Sequence, residues 1–197
     1  MKNNIKRLSG LYFSCLVLLI FTIVFLFNGN YEFLSYTFTI GILIYVLIKM
    51  DKKFYFSQIA KWGFSVWLLL HFLGGSVRIE SVKLYDSILI DLVGDPLYIF
   101  RYDQFMHFFC YLVFAFFIYS IVTPYLKNKV NKWALFLIAV LVGEGVGGIN
   151  EVIELSTVVF LHSTGVGNYF NNALDLVFNL IGAMVGTWIA IKTDRKL

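Results

Sequence analysis

The sequence predicts an all-α fold, a polytopic transmembrane helical bundle of six spans with both termini cytoplasmic, and three observations predict it. Composition is the first: 59% of the 197 residues are hydrophobic and only 14% charged, with a mean hydropathy of +0.79. A soluble domain is nearer 45–50% apolar and about 25% charged, so this chain cannot cover itself with a water-facing surface. The second is length: six apolar stretches meet or approach the roughly 20 residues that a helix needs to cross about 30 Å of hydrocarbon. The third is the placement of basic residues. On an up-and-down path, thirteen of the sixteen Lys and Arg fall on the side of the N-terminus, leaving Arg78, Lys83 and Arg101 opposite. The positive-inside rule assigns the basic side to the cytoplasm.

The spans run approximately over 9–27, 32–50, 61–78, 103–123, 133–154 and 172–191. Lys2, Lys6 and Arg7 followed by the apolar run Leu11 to Phe27 have the form of a secretory signal. No small-x-small cleavage site precedes Asn28-Gly29-Asn30, so the run reads as a retained first span. The remaining breaks are Asp51-Lys52-Lys53, the polar segment Arg78 to Tyr102, Pro124 to Lys132, and Ser156 to Asn171. None is a domain-sized linker, and residues 1–197 read as a single integral membrane domain. Leu84 to Phe100 mixes apolar residues with Asp86, Asp91, Asp95 and Pro96, which suits a segment lying flat in the interface or capping the bundle.

The net charge of +4 is accounted for by topology and calls for no nucleic-acid partner; the partner implied is the lipid bilayer, and nothing points to a protein partner. Cys15 and Cys110 lie in apolar runs, so neither a disulfide framework nor a thiol metal site is expected. No internal repeat is visible, which weakens an inverted-repeat transporter.

Ionisable residues inside spans cost about 2.5–3.5 kcal/mol each at a helix centre and normally face the bundle interior. Span four carries Asp103 with His107 one turn deeper, span five carries Glu151 and Glu154 near its outer end, and span six carries Asp175 with Asn179 one turn deeper. Three helices thus bring acids and a histidine to one depth on the outer side. Gly143, Gly145, Gly147 and Gly148 on span five and Gly182-x-x-x-Gly186 on span six remove bulk where those two spans would pack together. Deeper still, His71 and Glu144 both lie near the midplane. As a pair they would relieve two burial costs in one hydrogen bond; a protonated Glu144 without His71 is the alternative.

Tyr102-Asp103-x-x-x-His107-Phe108, Glu151-x-x-Glu154, Asp175-x-x-x-Asn179-x-x-Gly182-Ala183 and His71-x-x-Gly74-Gly75 together resemble the YjdF-like family of bacterial inner-membrane proteins. The first three pieces resemble, more distantly, the VanZ-like teicoplanin-resistance family. The likeness covers roughly 62–190 and implies a six-span protein of the cytoplasmic membrane, with no established reaction. Met106 stands where the family tends to have Gly, and Asn168 and Asn171 stand where it tends to have Asp, which implies an altered site if those aspartates are ligands.

Three functions fit these residues. In an enzyme, Asp103, His107, Glu151 and Asp175, with Glu154 beside them, would hold a divalent metal. Without metal, Glu151 or Glu154 would serve as acid or base with His107. Arg78, Lys83, Arg101 and Asn179 would then bind substrate, an outer-leaflet lipid or a lipid-linked envelope precursor. In a transporter, the carboxylates would capture a cation or cationic drug. In the third reading the same residues form a purely structural polar network. His162 is a lesser candidate ligand.

The topology predicts that single cysteines near Asn30, Leu92 and Gly165, in a background lacking Cys15 and Cys110, react with an impermeant thiol reagent in intact cells. Cysteines near Lys52 and Lys129 should react only after permeabilisation. Labelling at 52 or 129 in sealed cells would reject it.

Overall fold

A computed structural model describes residues 2–95, 98–126, 129–163 and 167–193, with side chains from Lys6 onward. Pro96, Lys127, Gly165, Arg195 and Lys196, which entered the expectations above, lie outside the described residues. The chain forms α1 (Lys2–Phe27), α2 (Tyr31–Phe54), α3 (Gln58–Ser76), α4 (Tyr102–Leu126), α5 (Lys132–Leu161) and α6 (Tyr169–Thr193). Five of these are long and apolar enough to cross a membrane; α3 is not among them. It has 19 residues, includes Lys61 and His71, and is buried along Ala60, Phe64, Leu68 and Phe72.

Several boundaries differ from the hydropathy reading. Asp51-Lys52-Lys53 is not a break: α2 runs on to Phe54 and ends where Tyr55 turns into the left-handed region at φ 49°. Asp51 stays helical because it has buried partners, Lys61 Nζ at 3.2 Å and Arg7 Nε at 3.1 Å. Asp51 and Lys61 are each 0% exposed, so removing Asp51 would leave the Lys61 charge buried without its partner at a cost of about 3–5 kcal/mol, whereas Asp51 would keep Arg7 if Lys61 were removed. The sequence reading counts Lys61, at the start of span three, as a cytoplasmic-side charge, whereas with Asp51 and Arg7 it ties together α1, α2 and α3. Pro124 likewise lies inside α4 and does not end it. α5 continues past Ser156 to Leu161, capped by His162 at φ 53°. His162 is exposed at that cap, away from the polar cluster.

Residues between α3 and α4 cap one end of the bundle, one of the two arrangements expected for them. β1 (Arg78–Ile79) pairs antiparallel with β2 (Val82–Lys83), then a 3₁₀ turn, Leu84–Asp86, packs on α3 and α4. An isolated bridge joins Ile88 to Arg101. Gly74 leaves room for the Tyr85 ring against α3; a Cβ there would strike it.

The tightest seam is between α4 and α6, not between α5 and α6. Gly182 and Gly186 lie directly against the carbonyls of Phe108 and Leu112, where an added Cβ would collide with backbone. On α5 only Gly143 and Gly147 are contact positions, 3.1 Å from Ala183 and 2.9 Å from Asn179 as judged by an added Cβ; Gly145 and Gly148 face open space. The four glycines therefore divide into two that pack and two that do not.

That division predicts opposite signs for one substitution. Gly182→Ala forces a backbone shift and should destabilise by about 1–3 kcal/mol. Gly145→Ala should be neutral or stabilise by roughly 0.5–1 kcal/mol through helix propensity. Unfolding in mixed micelles measures both; a neutral Gly182→Ala would contradict the seam.

Candidate functional site

The start of α4 fixes the first two site residues. Gln104 Oε1 accepts hydrogen bonds from the backbone N–H groups of Phe100 and Arg101 at 2.6 and 3.0 Å, closing the helix N-terminus as the third residue of a capping box does. Asp103 and His107 follow on one face, with Asp103 Oδ1 3.5 Å from His107 Nε2. Across the glycine seam, α6 supplies Asp175 and Asn179, 1% and 0% exposed. From α5 come Glu151 and Glu154. All four carboxylates converge on one imidazole: Glu154 and Asp175 lie 3.9 and 4.0 Å from Nε2, and Glu151 lies 3.8 Å from Nδ1.

The depth and face estimated from helical spacing therefore place Asp103, His107, Glu151, Glu154 and Asp175 together. Asn179 lies one turn deeper on α6, at the position its spacing from Asp175 sets. It is buried against His107, where Oδ1 accepts from Nδ1–H at 3.0 Å and so orients the ring. Gly147 makes room for its amide. With Nδ1 engaged, Nε2 is the nitrogen directed at Asp103, Glu154 and Asp175.

Two amides complete the cluster: Asn171, which the sequence reading names as standing where the resembled family tends to have Asp, and Asn150, which it misses. Asn171 Nδ2 donates to Asp103 at 3.0 Å and Asp175 at 2.7 Å, bridging two acids where a third carboxylate would add repulsion. Asn150 Nδ2 donates to Glu154 at 2.7 Å. Asn150-x-x-x-Glu154 and Asn171-x-x-x-Asp175 have the spacing of facing helix neighbours, a signal legible in the sequence. Asn168 caps α6 by accepting from the Asn171 N–H at 3.1 Å.

Hydrogen bonding remains incomplete. Asp175 Oδ1 and both Glu151 carboxylate oxygens are buried without a hydrogen-bond partner. Two ligand sets, Asp103/His107/Asp175 and His107/Glu151/Glu154, have donor atoms within 4.8 Å of one another. Carboxylate oxygen plus imidazole is a donor set suited to a divalent ion of intermediate hardness.

His71 and Glu144 do not pair. His71 Nδ1 is hydrogen-bonded to the Tyr85 hydroxyl, and the ring stacks on Trp67 at 5.1 Å. Burial, reinforced by the nearby carboxylates of Asp103 and Glu154, holds the Tyr85 hydroxyl well above its ordinary range, so it is the donor. Nothing local in the sequence links Tyr85 to His71, because the pairing depends on how the capping segment folds back. Glu144 stays half-buried on α5 with Oε2 unpartnered.

Arg78 is exposed and donates to the Ser81 carbonyl at 2.8 Å, while Arg101 lies over the Tyr98 ring at 5.9 Å. Neither lines the cavity beside His107. Of the three basic residues expected there, only Lys83 does, 3.7 Å from Glu32. The cavity, about 360 Å³, opens from the cluster between α2, α3, α4 and α5, with Asp103, His107 and Glu154 at its polar end.

Compared with known proteins, residues 9–196 match the model of a family described as predicted membrane protein, DUF2238. No curated protein and no solved structure matches.

Proposed function

Starting from a chain that belongs to the DUF2238 family of predicted membrane proteins, which is the YjdF-like family, we propose that its His107 cluster is a divalent-cation centre acting on the polar head of an outer-leaflet lipid or lipid-linked envelope precursor. The proposal takes the chain as one domain of the cytoplasmic membrane, with α3 as a sixth, protein-enclosed span and both termini inside. Thirteen basic residues then lie on the cytoplasmic side and the cluster faces out.

One observation carries the reading: four carboxylates from three helices lie within 4.0 Å of a single imidazole, and the 1%-exposed Asp175 leaves one oxygen without a hydrogen-bond partner beside Nε2. Holding helices in register needs paired groups, and surplus buried carboxylate oxygens repel one another unless protons or a cation neutralise them. A bound ion satisfies them together. Asp103, His107 Nε2, Asp175 and Glu154 would hold it, with Glu151 on the Nδ1 side of the ring. When bound, such an ion polarises an ester oxygen and activates water. Asn179 fixes the imidazole, Asn150 and Asn171 orient the carboxylates, and Glu154, facing the cavity, is placed to take a proton from an approaching group.

Thermal unfolding in detergent with and without Mg²⁺, Mn²⁺ or Zn²⁺ tests this. An ion binding only the folded state at a hundred times its Kd should stabilise wild type by about 2.7 kcal/mol. Asp175→Asn and Glu151→Gln should remain folded and lose that increment. If no ion stabilises wild type and both variants are as stable as it or more so, the cluster is structural packing.

A further inference from the structure

The cavity beside His107 is graded along the helix axes. On α2 it extends from Glu32 to Val46, about 21 Å at 1.5 Å per residue, and on α4 from Asp103 to Phe114, about 16 Å. Its polar groups, including Asp86, Asp103 and Glu154, lie at the end capped by the 3₁₀ turn. Towards the bundle centre it is lined by Ile40, Leu43, Trp67, Phe114 and Val146. This is the polarity of a lipid standing in one leaflet.

Its entrance has a side. α2 and α5 are tied at the polar end, where Ser163 donates to Glu32 at 2.7 Å and Lys83 pairs with the same carboxylate. Below that tie they diverge. Ile42, Val46 and Ile149 line the cavity and are also exposed, Ile149 by 61%, so the gap between α2 and α5 opens on the apolar flank. At the polar end Lys83, Tyr85 and Asp86 of the capping segment lie over the cavity.

We propose that the cavity takes a single-chain amphiphile laterally from the bilayer through the α2/α5 gap, hydrocarbon along α2 and α5, head at His107. The head is one that donates hydrogen bonds, through hydroxyl or ammonium groups. The charged side chains lining the polar end, Glu32, Asp86, Asp103 and Glu154 against Lys83, are mostly acceptors, and a solely anionic head meets net repulsion. The inference rests on reading the His107 cluster as a working site and adds which class of molecule it meets and by what route.

The probe is an alkyl glucoside with a twelve-carbon chain carrying a terminal diazirine, photolysed with the full-length protein in lipid nanodiscs, and crosslinked peptides are mapped. Labelling should concentrate on 40–46 and 146–149. Unlabelled dodecyl glucoside should compete, and glucose and dodecyl sulfate should not. Ile149→Trp, whose larger ring projects from an exposed position into the gap, should lower cleft labelling at least about tenfold, a loss of 1.4 kcal/mol. The same variant should keep the metal-dependent thermal shift. Labelling spread evenly over lipid-facing α1 and α6, or unaffected by dodecyl glucoside and by Ile149→Trp, overturns the lateral cleft. An absent metal shift with cleft labelling intact would instead reject the cation centre alone.

Discussion

Four carboxyl groups sharing one imidazole inside an apolar helix bundle make a demand that little else in the chain can meet. Each of Asp103, Glu151, Glu154 and Asp175 would be costly on a lipid-facing surface, and each becomes tolerable only by reaching the same point as the others. The packing serves that convergence. Gly182 and Gly186 let α6 rest on the α4 backbone, so Asp175 and Asn179 stand opposite His107, and Gly147 gives Asn179 the room to hold the ring. Asn171 and Asn150 then place donors on the flanking acids. What they leave unsatisfied, Asp175 Oδ1 and the Glu151 carboxylate, is also what a cation would take up.

The opposite end of the bundle obeys the same electrostatics with a different outcome. Asp51 has two cations, Lys61 and Arg7, within 3.2 Å and no second carboxylate beside it, so its charge is compensated and the group pins α1, α2 and α3 together. α2 is thereby fixed twice, at Asp51 and at the Glu32–Ser163–Lys83 contact, and between these points it lines the cavity together with α5. In the proposed reading these two ties hold the walls of the cleft. A charge-compensated ion group and a cluster with surplus carboxylates thus divide structure from proposed chemistry between the two ends.

The helices were legible because long apolar runs carry strong signals of length and composition. The polar cluster was legible for the same reason, since acids within apolar runs stand out, and the shared depth of His107, Glu151 and Asp175 follows from residue counting. Partner choice was not. Gly182 looked like a contact with α5 and is one with α4, because a small residue says that some helix comes close and not which one. Asp51 read as a break because hydropathy cannot see that Lys61, at the start of the next span, cancels its charge. His71 and Glu144 were matched by depth alone, yet His71 bonds to Tyr85, brought by a capping segment whose fold has no periodic signature.

The central claim, that the carboxylates gather around His107 to hold a cation, is tested most directly by pulsed electron paramagnetic resonance of Mn²⁺ added to the purified protein in lipid. The account predicts one tightly bound ion per chain with modulation from a directly coordinated imidazole nitrogen, lost in His107→Ala. Tightly bound Mn²⁺ showing no nitrogen modulation, or the same spectrum from wild type and His107→Ala, would contradict it.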